Sequence, residues 1–199
     1  MAPLAFESKA YWHARFSSET SFEWLVPSDV FMSILEPHLQ SLTPDSAILQ
    51  LGFGTSDVHV HLRRRGFTNI TNIDYEPLAV KAGEEAEKQA FGDVQTTYLV
   101  ADALELDLGE KYALVIDKST ADAVACGGEA ALVAMAQGVE RHLSEQGLWI
   151  SLSYSAFRFD DPGLPLEVSL FCKVPTPKQR ATDPDVFHYC YALRKKSDC

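Results

Sequence analysis

The sequence predicts an α/β fold: a seven-stranded, mostly parallel sheet with helices on both faces and a C-terminal antiparallel β-hairpin. Three observations carry this expectation. Short β-rich runs alternate with helical patterns, as βαβ units around a parallel sheet require. A glycine loop, Gly52-Phe53-Gly54, directly follows the first short apolar run. The last two β-rich runs have no long helix between them, so they should pair antiparallel at one sheet edge. A length of 199 residues with 46% hydrophobic content suits one domain, residues 1–199, with a substantial core.

Lys9 to Phe16 carries Tyr11, Trp12 and Phe16 at mixed helical spacing, and Phe22 and Trp24 follow. Ser28 is placed to cap a helix in which Val30, Phe31, Ile34 and Leu35 share a face, with Pro37 ending or kinking it. Ala47 to Leu51 reads as the first buried strand. Val58, Val60 and Leu62 alternate with polar residues like a strand, but a glycine loop after a strand opens a helix. That helix should end near Arg65, before Gly66, with a run of three arginines as a solvated C-terminus. Asn69 to Asp74 is the second strand and Glu76 to Ala90, rich in Ala, Glu and Lys, a helix. Thr96 to Val100 is the third strand, stopping at Asp102, and Tyr112 to Ile116 the fourth, stopping at Asp117. Glu129 to Leu143 is a helix with Leu132, Met135, Ala136, Val139 and Leu143 on its core face. Gly147 to Tyr154 is the fifth strand; Ser169 to Val174 and Phe187 to Leu193 close the sheet around a proline-rich connection.

The formal net charge is −11, which disfavours a nucleic-acid backbone and favours a basic protein surface or a neutral or cationic small molecule. The four cysteines, Cys126, Cys172, Cys190 and Cys199, form no CxxC pair and fit no zinc spacing; no metal is expected. His59 and His61 are two apart and would diverge on a helix. No run approaches a membrane span, and the N-terminus has no secretory pattern, so the expectation is a reduced, cytoplasmic protein without a membrane partner.

Three strand ends carry special chemistry. In an open parallel sheet, ligands sit beyond the C-terminal strand ends where strand order reverses. Gly52 and Gly54 permit close backbone approach. Asp74, 20 residues beyond Gly54, can accept hydrogen bonds from a ribose diol. Asp102 is placed to meet an adenine amino group, with the Ala103 N–H beside it. A dinucleotide fingerprint would put a third glycine where Asp57 stands, and that charge would repel a pyrophosphate. S-adenosylmethionine (SAM) has no phosphates, so a methyltransferase is the better reading.

The runs YWHARF, FEW, ILEPHL, ILQLGFGTS, GFTNITNIDYEPLAV, VIDKSTADA, GLWISLSYSAFRF and FHYCYALRK resemble the lysine methyltransferases of eukaryotic translation elongation factor 1-alpha and their class I, seven-β-strand, Rossmann-like relatives. The resemblance runs from Tyr11 to about Phe159 and resumes at Phe187 to Lys195. It implies methyl transfer from SAM, leaving S-adenosylhomocysteine (SAH), to a protein lysine, with a basic translation factor as the kind of substrate. It also implies cofactor contacts from Trp12, Phe16, Trp24, Gly52, Asp74, Tyr75, Asp102, Ala103 and Lys118, with residues 1–27 covering the cofactor over a core of 28–199. Gln50 stands where the family has an acid, so it can hydrogen-bond the methionine amino group without an opposite charge. Phe53 replaces a Cys and Ser119 the Gly of DKGT. Asp117 and Tyr154, at the ends of the fourth and fifth strands, are the candidates for orienting the acceptor nucleophile. Two other readings stay open. One is a small-molecule O-, N- or S-methyltransferase, since one fold hosts many acceptors. The other is a non-catalytic binding module, motivated by Gln50 and Phe53.

Overall fold

The computed structural model describes residues 5–19 and 21–197. Cys199 and the first four positions of the N-terminal segment lie outside them.

Seven strands form one sheet: β1 (Ile48–Leu51), β2 (Ile70–Asp74), β3 (Thr97–Val100), β4 (Tyr112–Lys118), β5 (Leu143–Ser153), β6 (Leu166–Pro175) and β7 (Phe187–Lys195). Their order is β3-β2-β1-β4-β5-β7-β6. The first five are parallel; β7 runs antiparallel to both β5 and β6. The chain steps outward from β1 to β3, then returns so that β4 lies on the other side of β1. The strand order therefore reverses between β1 and β4, and a crevice opens beyond their C-terminal ends.

Helices cover both faces, as the sequence predicts. α2 (Ser28–Leu39) and α3 (Val58–Arg64) pack on one face with Ile48, Ile70, Leu114, Ile116, Ile150 and Leu152. α4 (Pro77–Phe91) lies beside α3 against β2 and β3. α6 (Glu129–His142) packs on the other face with Leu49, Leu51, Ile73, Val115 and Trp149, next to the short α5 (Thr120–Ala125). Along β1, Ile48 enters one layer and Leu49 the other, the period-2 alternation of a strand buried on both sides. α1 (Lys9–Phe16) has no buried residue and sits outside both layers. The cores begin at Val26.

Several local expectations are corrected. Ser28 is not a cap: it is the first helical residue after Pro27, and its hydroxyl donates to the Glu23 carboxylate. Pro37 does not end α2. It falls in the last turn, where its missing N–H forfeits one bond and the helix closes at Leu39. Arg63 is not a solvated helix end. Its guanidinium is buried and bonds Glu87 and the Asp93 carboxylate and carbonyl. β4 continues through Asp117 to Lys118, and β5 begins already at Leu143. Among the described residues, no helix is long and apolar enough to cross a membrane.

Candidate active site

The glycine loop sets the floor of the crevice. Gly52 and Gly54 both take φ +54, a left-handed conformation that glycine adopts without penalty. A Cβ on Gly52 would lie 2.5 Å from the Thr120 side chain, so α5 packs directly onto the end of β1. Thr120 Oγ1 donates there, within reach of the carbonyls of Leu51 (2.9 Å) and Gly52 (3.0 Å). Phe53 turns away into a buried nest with His59 and Tyr98. That nest exists because residue 83 has no side chain: a Cβ on Gly83 would stand 2.5 Å from Phe53 Cε2.

The remaining strand ends complete a cavity of about 550 Å³. Asp74 closes β2 and is buried. One carboxylate oxygen accepts from the Gly54 N–H and the other from the Glu76 N–H, both at 2.9 Å. Burial pushes its pKa up to about 6, against the pull of these hydrogen bonds. Asp102 follows β3; its carboxylate accepts from the Leu104 N–H (3.0 Å) and pairs with Lys9 Nζ (2.9 Å). Asp102 thus caps the short turn Ala103–Glu105, whereas α4 is capped by Glu76 and not by Asp74; both aspartates line the cavity. Lys118 ends β4. Its ammonium donates to the Glu23 carboxylate and to the Trp24 carbonyl at 2.9 Å. Ser119 takes the left-handed φ of +73 that the glycine of a DKGT loop would adopt freely.

A roof of aromatic side chains lies over this floor. Trp12 and Phe16 project from α1, and Phe22 and Trp24 from the segment that follows. The rings pack on one another, with centroids 5.4 Å apart for Trp12–Phe16, 5.9 Å for Trp12–Trp24 and 5.1 Å for Phe22–Trp24. The Arg15 guanidinium stacks over Phe22 and Trp24, 4.7 Å from each ring centroid.

The cavity therefore gathers Trp12, Phe16, Trp24, Gln50, Gly52, Gly54, Asp74, Tyr75, Asp102, Ala103, Lys118 and Tyr154 along one wall or another. Two of them present buried polar atoms with no partner among the described residues: Gln50 Oε1 and the Tyr75 hydroxyl. Orphaned buried polar atoms are costly, and both residues line the cavity.

Asp117 is not brought into the cavity. Its carboxylate is fully buried, 1% exposed, on the α6 side of the sheet. It accepts from Trp149 Nε1 (2.8 Å) and the Ala121 N–H (3.0 Å). The reason is the extra length of β4: at a strand position rather than a strand tip, the side chain points into the layer beneath. Desolvation pushes its pKa up to about 6. Asp117 is thus a structural strut, and the role of orienting an acceptor does not fit it.

The acid that does line the cavity near Tyr154 is Asp122, which spacing arguments passed over. It accepts from the Tyr154 N–H (3.0 Å), Arg158 Nε (2.8 Å) and the Ser153 hydroxyl. These bonds fix the turn after β5 and hold Tyr154, 57% exposed, at the cavity rim. Lys9, Glu23 and Thr120 were also missed. Their partners lie far away in sequence, so no local pattern marks them; only the STADA run beside Lys118 offered a signal for Asp122.

No family model matches the chain. Methyltransferase srdJ of Neurospora crassa is 56% identical over 197 residues, spanning 96% of this chain and 84% of that protein. EEF1A lysine methyltransferase 4 of Mus musculus is 30% identical over 120 residues, covering 59% of this chain and less than half, 45%, of its own length. Among solved structures, the N-methyltransferase NodS from Bradyrhizobium japonicum in complex with SAH shares the fold. Its TM-score is 0.67 at 13% identity, over 94% of this chain and 99% of that one. Identity of 56% carried along nearly the whole chain goes well beyond a common fold, and the chain belongs to the class I, seven-β-strand SAM-dependent methyltransferases.

Proposed function

We propose that the chain binds SAM in the crevice between β1 and β4 and transfers its methyl group to an amine, with a protein lysine ε-amine as the acceptor. The observation that carries the cofactor half is the pair of unpartnered atoms, Gln50 Oε1 and Tyr75 Oη, in the same cavity as Asp74 and the glycine loop. Gln50 Oε1 suits an ammonium donor such as the methionyl amine, and Asp74 retains lone pairs for a ribose diol. Among the described residues, the cations lining the cavity are Lys9 and Lys118, each paired with a carboxylate, an arrangement poorly suited to a diphosphate.

Bound there, SAM supplies an electrophilic methyl group on a sulfonium, and the protein contributes binding and orientation. The π faces of Trp12 and Trp24 favour a cationic ligand under the roof. At the open end, the Tyr154 hydroxyl can accept a hydrogen bond from an incoming amine, its position held by Asp122. The acidic balance of the chain, −11, favours a basic acceptor protein. The names of the elongation-factor relatives point the same way.

A small-molecule acceptor is the second reading. The enclosure of the cavity beneath α1 favours it, because a roofed site suits a compact acceptor. The test is incubation of the purified chain with methyl-labelled SAM and a cell extract. Acid-stable label recovered as methyl-lysine in a protein band is the expected result. Label confined to extracted small molecules would replace the lysine reading with the second one. Failure to bind SAM in calorimetry would leave a non-catalytic module.

A further inference from the structure

We infer that Glu23 and Lys118 are positioning residues: their ion pair latches the Trp24 wall of the cavity to the tip of β4, and it is through this wall, not by touching the cofactor, that Lys118 serves SAM binding. The inference rests on the SAM reading above.

The Lys118 side chain is only 6% exposed. Its ammonium is taken up by the Glu23 carboxylate and the Trp24 carbonyl. The other Glu23 oxygen accepts from the Ser28 hydroxyl, which lies 3.0 Å from Ser56 Oγ. One network thus joins β4, the FEW segment, the start of α2 and the loop that follows the glycines. A second tie adds to it: the Phe22 N–H donates to Thr55 Oγ1 (2.9 Å), whose hydroxyl donates to the Phe22 carbonyl (3.1 Å). The FEW and DKST runs, 95 positions apart at their charged residues, are therefore two halves of one device.

The α1 part of the roof is held differently. Lys9 pairs with Asp102 and the His13 ring meets the Glu76 carboxylate, and the two side chains are 68% and 65% exposed. Exposed pairs contribute little, whereas breaking a buried pair strands a charge. Burial lowers the Lys118 pKa, with Glu23 pulling it back up, which fits a cation retained for its partner. The Trp24 segment is the fixed wall of the roof.

The test is SAM affinity by calorimetry, beside thermal unfolding, for wild type, Glu23→Gln, Lys118→Met and the double variant. A direct cofactor contact by Lys118 would make only Lys118→Met weaken binding. The latch predicts that each single variant raises the SAM Kd about tenfold, and that the double variant is no worse than Lys118→Met alone. Glu23→Gln keeps the shape and an amide oxygen for the Lys118 ammonium, and the double variant strands no charge, so thermal unfolding shows which variants fold and the test stays readable. Wild-type SAM affinity in Glu23→Gln would overturn the latch while leaving the SAM site standing. An absence of SAM binding in the wild type would overturn both.

Discussion

Phe53 and Gly83 show how one side chain's bulk is absorbed by another's absence. An alanine at 83 would gain about 1 kcal/mol of helix propensity in α4. Its Cβ would also meet the Phe53 ring at 2.5 Å and Tyr98 at 3.0 Å. Overpacking of that kind costs about 1–3 kcal/mol, so Gly83→Ala is expected to lower stability on balance. Because Phe53 lies between the two site glycines, the same variant should also weaken SAM binding, and Phe53→Leu in the Gly83→Ala background should recover both, read by thermal unfolding and calorimetry. Asp117 is a contrasting case. An asparagine there must turn an NH2 toward the N–H of Trp149 or of Ala121. Asp117→Asn should therefore cost about 1–3 kcal/mol of stability while leaving SAM affinity of the folded protein unchanged. At this scale the meeting of Gly52, Asp74 and Asp102 at one cavity was legible, since they carry chemistry that a strand tip must present. The end of the cavity near Tyr154 was not. Asp117 and Asp122 are both acids near one strand end, and two further residues of β4 decide which of them reaches the cavity.

The elements divide into two core layers and a roof that lies outside them. Neither hydrophobic layer includes a residue of α1, and the layers begin at Val26. Deleting residues 1–19 should then leave the circular dichroism of the sheet and helices intact and shift Tm by only a few degrees. SAM binding should weaken about a hundredfold, because the Trp12 and Phe16 faces are lost. Unfolding of the truncated chain would show that α1 is part of the core instead. The long periodic segments were readable because burial enforces their period: β1 on both faces, α6 along one stripe, the terminal hairpin from the lack of an intervening helix. α5 was not readable. It is six residues long, and what holds it is Thr120 against the end of β1, a contact no local pattern encodes. Pro37 inside α2 is a similar case, where tertiary packing carries the helix past a residue that forfeits one bond.

At the scale of the whole molecule, stability and cofactor affinity should both fall in mild acid. Asp74 and Asp117 have folded pKa values raised to about 6, so their contribution is full below the unfolded carboxylate range and is lost as pH rises through about 6. Burial lowers the His59 pKa to about 4, so its contribution is present at neutral pH and is lost as pH falls toward that value. Burial lowers the His38 and His188 pKa values as well, so three imidazoles oppose two carboxyls as pH falls. Tm should therefore fall as pH falls from about 7.5 to about 5.5. SAM affinity should fall over the same window, because a protonated Asp74 is a poorer acceptor for the ribose; calorimetry at several pH values reads both. The sharpest test of the central claim is a crystal structure of the chain with SAH. The account predicts the ligand at the tips of β1 and β4, its amino group donating to Gln50 Oε1 and its ribose hydroxyls to Asp74. Ligand bound elsewhere, or a filled cavity that leaves Gln50 and Asp74 without contact to it, would contradict the account.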